Sequence, residues 1–452
     1  MEPKLEKKYG LITAIAMVVG IVIGSGVFFK AEKILTATGG NLKQGIFAWV
    51  IGGIIMISCA YTFSVMATKY QYVNGVVDYA EAAMGKTYAY YVGWFMAIIY
   101  YPTITSVLAW VSARYTCVIL GFSITGGECM TIACLYLVSS FTLNALSPVL
   151  AGKFQVSTTI IKLIPLFLMA VFGTITGLHN GMTAYNFTHE VTKSSSHGLF
   201  TAIVAASFAY EGWIIATSIN AELKNAKKNL PLALIAGTFI TMSVYILYYI
   251  GLAGTIKNEV MMAGGEEGAR LAFQTIFSSA GGTLLFVFVI ISCLGTLNGL
   301  MLGCTRGIFS LAARGLGPKP KIFSQVDPVT NMPVNSAILG LFLCGVWLLY
   351  FYGANLTTNW FGFFSFDSSE LPIVTTYALY IPIFLMFMVK GKELNVFNRI
   401  LMPCLSLAGC IFMIIAAWYA HGMAVVAFLI VFLIVMFLGA LLLKMSKQPL
   451  DK

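Results

Sequence analysis

The sequence has 452 residues, of which 59% are hydrophobic and only 10% are charged. Soluble globular proteins carry roughly 25% charged residues, so this chain has too few charges to cover a water-exposed surface. The composition excludes soluble, fibrous and disordered proteins and predicts an integral membrane protein that crosses the bilayer many times. The apolar runs are about 20 residues long without alternating polarity, which is typical of transmembrane helices and not of β-barrel strands.

Twelve apolar runs are predicted to be transmembrane helices. The polar residues 1–10 lead into the first run without a small-residue cleavage site, so we expect a retained span and not a signal peptide. With the N-terminus inside, most of the 27 lysines and arginines fall on the inner side, as the positive-inside rule predicts. We therefore expect both termini in the cytoplasm. The predicted spans are 11–36, 45–69, 88–120, 130–150, 156–177, 199–221, 231–254, 282–311, 334–353, 370–389, 398–418 and 424–444.

The first and sixth spans differ from the others because each carries glycine where it should cross the middle of the bilayer. Each also stands at the head of a set of five spans. Paired interrupted helices in corresponding positions of two halves are typical of the binding site of an inverted-repeat transporter. We predict a single membrane domain, 1–452, with one repeat in 11–177, a second in 199–389, and two further helices in 398–444.

An interrupted helix in hydrocarbon leaves backbone groups without intrahelical partners, which is tolerated only where the backbone lines a cavity or binds a ligand. The amides of Ser25 and Gly26 are predicted to start a half-helix, where a carboxylate is favoured. The carbonyls of Val22, Phe208 and Glu211 are expected to be free to accept hydrogen bonds from an ammonium group. Together these groups predict a site for a free α-amino acid.

Three further residues, Gly24, Ala209 and Gly212, complete the predicted substrate site at the two interruptions. Glycine permits unwinding and close approach of a ligand. The alternative is that Gly20 and Gly24 form a face of small residues on which two helices pack.

These motifs resemble those of amino-acid permeases of the amino acid–polyamine–organocation superfamily. Within that superfamily the L-type amino-acid transporter group is most similar, and within the group the bacterial serine/threonine and alanine–serine–cysteine exchangers. The resemblance extends from about residue 8 to residue 400. It is carried by Gly24–Phe28, Asn74–Glu81, Lys162–Pro165, Phe208–Trp213, Glu222–Pro231 and Leu294–Gly299 with Arg306.

The resemblance implies an all-α membrane protein with twelve helices, a 5+5 inverted repeat and discontinuous helices 1 and 6, followed by two C-terminal helices. It implies a sodium-independent exchanger that moves small neutral L-amino acids, such as alanine, serine, threonine or cysteine, by alternating access. Proton-coupled symport is the alternative; a non-transporting sensor or a membrane enzyme fits less well. The family's carboxylate site falls on Ser25 and Gly26, and its amine-binding carbonyls fall on Val22, Phe208 and Glu211.

Lys162 is a charged residue inside the fifth span, with isoleucines and leucines around it. A buried ammonium is costly there and marks a functional site by default. The alternative is a lysine that snorkels to the headgroups. The resemblance implies that Lys162 reaches the first span near its interruption and replaces a sodium ion. We expect it to couple substrate occupancy to movement of that span.

Three other polar residues lie within predicted spans. Glu211 is a candidate for proton coupling, or it faces water in the cavity. Tyr245 and Asn298 are either gating residues or ordinary helix-packing groups. For the substrate side chain, the resemblance offers Ile214 and Ile215 and residues near Tyr101 and Pro102. None of these is charged, so a neutral substrate is favoured.

The sequence predicts no enzyme, no cofactor and no metal site, because it has too few acid, base or ligand groups at membrane depth. The net charge of +10 is explained by membrane orientation, so we expect no nucleic acid. Cys129 stands before the fourth span, where mammalian members that pair with a glycoprotein carry a linking cysteine. The match is interpreted as coincidental, and we expect a monomer without an obligatory heavy chain. The protein is expected in the bacterial inner membrane, with the lipid bilayer and small neutral amino acids as its partners.

Overall fold

The computed structural model describes residues 10–24, 26–69, 75–192, 197–216, 223–330 and 332–447. Every element within them is a helix. The helices are α1 Leu11–Val22, α2 Gly26–Ala37, α3 Leu42–Lys69, α4 Val76–Met84, α5 Lys86–Phe95, α6 Tyr101–Leu120, α7 Gly127–Leu146, α8 Pro148–Leu168, α9 Thr174–His179, α10 Met182–Thr188, α11 Gly198–Ala209, α12 Trp213–Ala216, α13 Ala226–Ala253, α14 Asn258–Gly264, α15 Glu266–Ala312, α16 Pro320–Phe323, α17 Val334–Phe351, α18 Leu371–Lys390, α19 Met402–His421 and α20 Met423–Lys447.

The described residues contain ten helical segments that are long and apolar enough to cross a membrane. Some of them join two α-helices through a π-helical turn, as Met96–Tyr100 joins α5 to α6 and Met169–Gly173 joins α8 to α9. The predicted spans that are not among the ten are the first and the sixth, and each consists of shorter helices. The prediction of an all-helical, multi-pass membrane protein is confirmed, while the twelve-span topology and the inverted repeat stay predictions.

Several predicted boundaries are wrong. Spans four and five are separated by Ser147 alone, because the helix restarts at Pro148, where proline's fixed φ suits a first helical position. The eighth span belongs to α15, which is divided by non-helical backbone at Phe277 and Ser278. The seventh begins at Ala226, five residues before its predicted start at Pro231.

The chain forms two compact units, each built from three stretches. The first comprises the described residues up to Ala83, then Thr159–Val289 and Val374–Ala420. Here α13 packs against α1 and α3, and α11 packs against α2 and α3. Each unit takes residues from both predicted repeats, so the compact units do not coincide with the repeats.

Two groups of buried aromatic rings fill the first unit. In one group the ring of Trp49 lies 5.6 Å from Tyr210 and 5.4 Å from Tyr245, and these two tyrosines stack at 5.2 Å. In the other, Phe63 lies 4.9 Å from Tyr380. Such pairs stabilise by roughly 0.5–1.5 kcal/mol beyond the apolar area that they bury. Tyr210 directly follows α11, and Phe63 also lies 5.7 Å from Trp213 at the start of the next helix, so aromatic packing lies on both sides of the sixth-span interruption.

The second unit comprises Met84–Thr158, Ile290–Ile373 and the described residues from His421 onward. In it α6 packs against α7 and α17, and α20 packs against α5. The indole N–H of Trp94 donates to the carbonyl of Val435 at 2.9 Å. The hydroxyl of Tyr90 donates to the carbonyl of Gly439 at 2.9 Å. These bonds fix two large rings against the backbone of α20.

The close approach of Trp94 to Gly439 predicts that Gly439→Ala destabilises the protein. A Cβ atom at Gly439 would lie 2.6 Å from Cδ1 of Trp94, and the bond to Val435 keeps that ring from moving away. Overpacking of this kind costs about 1–3 kcal/mol. The measurement is the thermal unfolding midpoint of purified protein in detergent.

Gly345→Ala is the matched control, because a Cβ atom there meets no atom within 4 Å. Alanine in a helix gains up to about 1 kcal/mol over glycine, so this variant is expected to unfold at the wild-type midpoint or slightly above it. Equal midpoints for the two variants would contradict the packing described for Trp94.

Candidate functional site

The first span is interrupted at the predicted place. The helical hydrogen bonds of α1 end at Ile23, whose N–H donates to the carbonyl of Val19 at 2.8 Å. The backbone of Ile23 itself is extended, with ψ 102°. Gly24 forms a bend, and α2 begins at Gly26. Ser25, one of the predicted carboxylate-binding residues, lies outside the described residues. The interruption leaves the carbonyls in the last turn of α1 without helical partners.

The sixth span is interrupted after Ala209, where α11 ends and a three-residue turn leads to α12. Gly212 has φ +107°, a backbone conformation that residues other than glycine rarely adopt. The N–H of Glu211 donates to the carbonyl of Phe208 at 3.3 Å, which closes the turn. The prediction that the Phe208 carbonyl is free is therefore wrong for this arrangement. The predicted motif around Gly212 therefore interrupts the sixth span.

The two interruptions lie against each other within the first unit. A Cβ atom at Gly26 would lie 2.5 Å from the Cα atom of Ala209, so only glycine permits this approach. The start of α2 and the end of α11 consequently meet backbone to backbone. A helix start has a partial positive charge and a helix end a partial negative charge, so charges of both signs converge here.

Tyr245 of α13 connects the two helix ends. Its side chain is fully buried, and its hydroxyl lies 3.1 Å from the carbonyl oxygen of Val22 and 3.0 Å from that of Ala209, donating to both. The prediction that the Val22 carbonyl is free is therefore wrong for this arrangement. A carbonyl has two lone pairs, so one position on Val22 remains for a further donor.

Lys162 of α8 is directed at α1. The side chain is 2% exposed, and its ammonium group donates to the carbonyl oxygen of Gly20. Snorkelling is thus excluded, because the head group lies inside the protein. Gly20 also packs tightly on the same helix, since a Cβ atom there would lie 2.6 Å from Cγ2 of Thr159. Gly20 thus packs closely on a neighbouring helix, as the packing interpretation predicts, and its carbonyl also binds a charged group.

Glu211 is half-buried beside α18. It lies near the buried side chains of Tyr377 and Tyr380. The carboxylate therefore lies in a polar part of the first unit, next to the interruption of the sixth span. The geometry is compatible with a proton-accepting group and with a group that only hydrogen-bonds.

Asn298 belongs to the second unit, where it holds three helical segments together. Its side-chain oxygen accepts from Asn144 at 2.9 Å, and its side-chain nitrogen donates to the carbonyl of Ala151 at 3.2 Å and to Gln155 at 3.3 Å. This network uses both N–H donors and the oxygen of a buried amide, as expected of a packing group. The structure thus favours helix packing for Asn298, while Tyr245 lies at the interruptions.

Two features of the site were not anticipated from the sequence. One is the carbonyl of Gly20 as the partner of Lys162. The other is the aromatic support of the interruption, in which Tyr210 donates to the carbonyl of Trp49 at 2.9 Å. The sequence shows only apolar runs that contain tyrosine and tryptophan, and such residues are also common at membrane interfaces, so they gave no distinctive signal.

The remaining candidates are placed as follows. Ile214 is buried, and the side chain of Ile215 lies outside the described residues. Tyr101 and Pro102 belong to the second unit. Cys129 is fully buried and is therefore unsuited to a bond with another chain. Within the described ranges, no group of three or more His, Cys, Asp or Glu residues could hold a metal ion.

Comparison with known proteins gives a consistent result. Residues 9–441 match the family model described as amino acid permease. The serine/threonine exchanger SteT of Bacillus subtilis (strain 168) is 30% identical over 417 residues, which cover 91% of each chain. The human b(0,+)-type amino acid transporter 1 is 24% identical over 339 residues, covering 74% of this chain and 69% of its own. The mouse Asc-type amino acid transporter 1 is 24% identical over 340 residues, covering 73% and 62%.

These relatives are named as transporters, which fits the prediction that the chain is not an enzyme. The resemblance found in the motifs is confirmed by a match that extends over nearly the whole sequence. The chain belongs to the amino acid permease family.

Proposed function

We propose that this permease is a sodium-independent exchanger of small neutral L-amino acids that works by alternating access. The observation that carries the proposal is the convergence of the two interruptions. The start of α2 favours a carboxylate, and the ends of α1 and α11 favour an ammonium group. A zwitterionic amino acid has both groups, and Gly26 and Ala209 bring the two helix ends into contact.

The substrate site of the proposal comprises Val22, Gly24, Ser25, Gly26, Phe208, Ala209, Glu211 and Gly212. The α-carboxylate binds at the start of α2, and the α-amine binds at the carbonyls. The small, neutral substrate class is supported by the relative named as a serine/threonine exchanger, which matches over 91% of its length.

Independence from sodium is supported by Lys162. Its ammonium group binds the carbonyl of Gly20, so a positive charge already occupies the end of α1. A sodium ion bound to the same carbonyl would lie about 4 Å from the ammonium group and would be repelled by about 4 kcal/mol for an effective dielectric constant of 20. The lysine thus supplies the positive charge that a bound sodium ion would otherwise provide.

Exchange is tested by uptake of labelled serine into proteoliposomes without sodium and without a pH gradient. We expect uptake only when the vesicles contain unlabelled serine, because the proposal requires a substrate on each half of the cycle. Vesicles loaded with choline in place of serine are the control.

Proton-coupled symport is the alternative, since Glu211 places a carboxylate beside the interruption. Accumulation in empty vesicles under an imposed proton gradient would establish symport, and Glu211→Gln would then abolish its pH dependence. If neither serine nor alanine moves under any of these conditions, the small neutral substrate class is wrong.

Lys162→Met is expected to slow exchange strongly. The substitution keeps an apolar stem and removes the charged donor to Gly20. A charge-assisted hydrogen bond contributes roughly 1.5–3 kcal/mol, on the order of 10- to 100-fold in an equilibrium between conformations. The measurement is the exchange rate together with the half-saturating serine concentration on each side of the membrane.

Lys153→Met is the matched control on the same helix, because Lys153 is exposed, and it should exchange at the wild-type rate. Unchanged rate and affinity on both sides in Lys162→Met would show that the buried lysine has no part in coupling.

Gly26→Ala is expected to abolish serine binding and exchange, because the added methyl group meets the backbone of Ala209. Gly152→Ala adds the same methyl group to α8 where no atom lies within 4 Å, and it should retain both activities. Thermal unfolding of both variants separates loss of the site from loss of the fold. A folded Gly26→Ala protein that exchanges serine normally would refute the proposed contact between the interruptions.

A further inference from the structure

An apolar groove runs along the first unit, lined by α1, the continuous segment α8–α9 and α13. Its volume is about 610 Å³, and of the described residues that line it all are apolar except Thr174. The groove is not the proposed substrate site, because that site lies where α2 meets α11. It contacts α1 through Val19 and Ile23, in the turn that ends at the interruption.

The groove faces the surroundings of the protein. Phe167 on its wall is 65% exposed, Ile175 is 59% exposed and Leu247 is 48% exposed. These side chains belong to helices that are long and apolar enough to cross a membrane. Apolar side chains that point outward from such helices are surrounded by hydrocarbon. The groove therefore opens toward lipid.

The dimensions of the groove fit one acyl chain. From Leu163 to Ile175 the helix rises by roughly 18 Å at 1.5 Å per residue, close to one leaflet of a hydrocarbon core that is about 30 Å thick. Spread over that length, 610 Å³ gives a mean cross-section of roughly 34 Å². A helix with its side chains is about 10–12 Å wide, which is a cross-section of roughly 80–110 Å². A helix of a second copy is too thick to enter.

The polar atom in the groove lies toward one end of the span. Thr174 is five residues from the helix end at His179, or about 7–8 Å along the axis. Its hydroxyl is buried and has no hydrogen-bond partner among the described residues. The polar interfacial layer of a bilayer begins where the hydrocarbon core ends. An acyl chain in the groove therefore has its ester end on the side of Thr174 and Ile175, where the groove comes closest to that layer, although the buried hydroxyl of Thr174 does not face it.

We propose that this groove is a binding site for the acyl chain of a phospholipid, which packs against the last turn of α1. The chain contacts Val19, next to Gly20, whose carbonyl binds Lys162, while the side chain of Ile23 is fully buried behind it. An occupied groove supports α1 in this position from the lipid side. The site is separate from the amino-acid site, and its test does not depend on transport.

The test uses the full-length protein in vesicles of phosphatidylethanolamine and phosphatidylglycerol that contain a trace of phosphatidylcholine with a diazirine in one acyl chain. After irradiation, labelled peptides are mapped by mass spectrometry. We expect enrichment on the peptides of α1, α8–α9 and α13 over those of α20, whose exposed Phe437 is an ordinary lipid-facing residue.

Val244→Trp places an indole ring in the groove and is expected to lower this labelling on the order of fivefold, because a buried aromatic side chain displaces the chain from its contact surface. Phe239→Trp is the matched control on α13, since Phe239 is 56% exposed and does not line the groove. Val171→Trp repeats the test from the opposite wall if Val244→Trp does not fold.

Two results would overturn the proposal. The first is labelling of α20 as strong as that of the helices that line the groove, which would mean that labelling follows exposure alone. The second is an equal loss of labelling in Phe239→Trp and Val244→Trp.

Discussion

The constraint on which this structure depends is the cost of an unsatisfied backbone group in a membrane. An interruption in a transmembrane helix frees carbonyls that water cannot reach, and each costs several kcal/mol unless a partner is supplied. The chain supplies two partners from neighbouring helices. Lys162 donates to Gly20, and Tyr245 donates to Val22 and Ala209. The site is thus stable because side chains take the place of the missing helical turns.

The same bonds make the interruptions suited to a ligand. A hydroxyl has one proton, so Tyr245 shares it between two carbonyls and saturates neither of them. The ammonium group of Lys162 has three protons, and within the described residues its hydrogen bond goes to Gly20. Each group can therefore be partly displaced, or joined, by the amine of an amino acid without leaving a buried carbonyl bare. A continuous helix has no such exchangeable bonds, because its carbonyls accept from N–H groups of the same helix.

The interruptions could be predicted from the sequence, and their partners could not. Glycine in the middle of an apolar run is a local signal, so Gly24, Gly26 and Gly212 marked both places. Which side chain reaches which carbonyl depends instead on how α8 and α13 are rotated against α1. Residues at 3.6 per turn differ by 100° between neighbours, so a small rotation decides whether Lys162 points inward or snorkels. The same uncertainty left Tyr245 and Asn298 equivalent in the sequence, although one joins two interruptions and the other fastens three helical segments of the second unit.

The shortness of α1 explains why its surroundings matter more than its own hydrogen bonds. A helix of 12 residues has marginal intrinsic stability, so its position is set by what packs on it. Thr159 touches Gly20, Lys162 and Tyr245 bind the carbonyls of Gly20 and Val22, and the apolar groove lies beside Val19. In the proposed exchange cycle, a substrate that weakens the bonds to Lys162 and Tyr245 would release most of what fixes the end of α1, and this would tie occupancy of the site to the position of this helix.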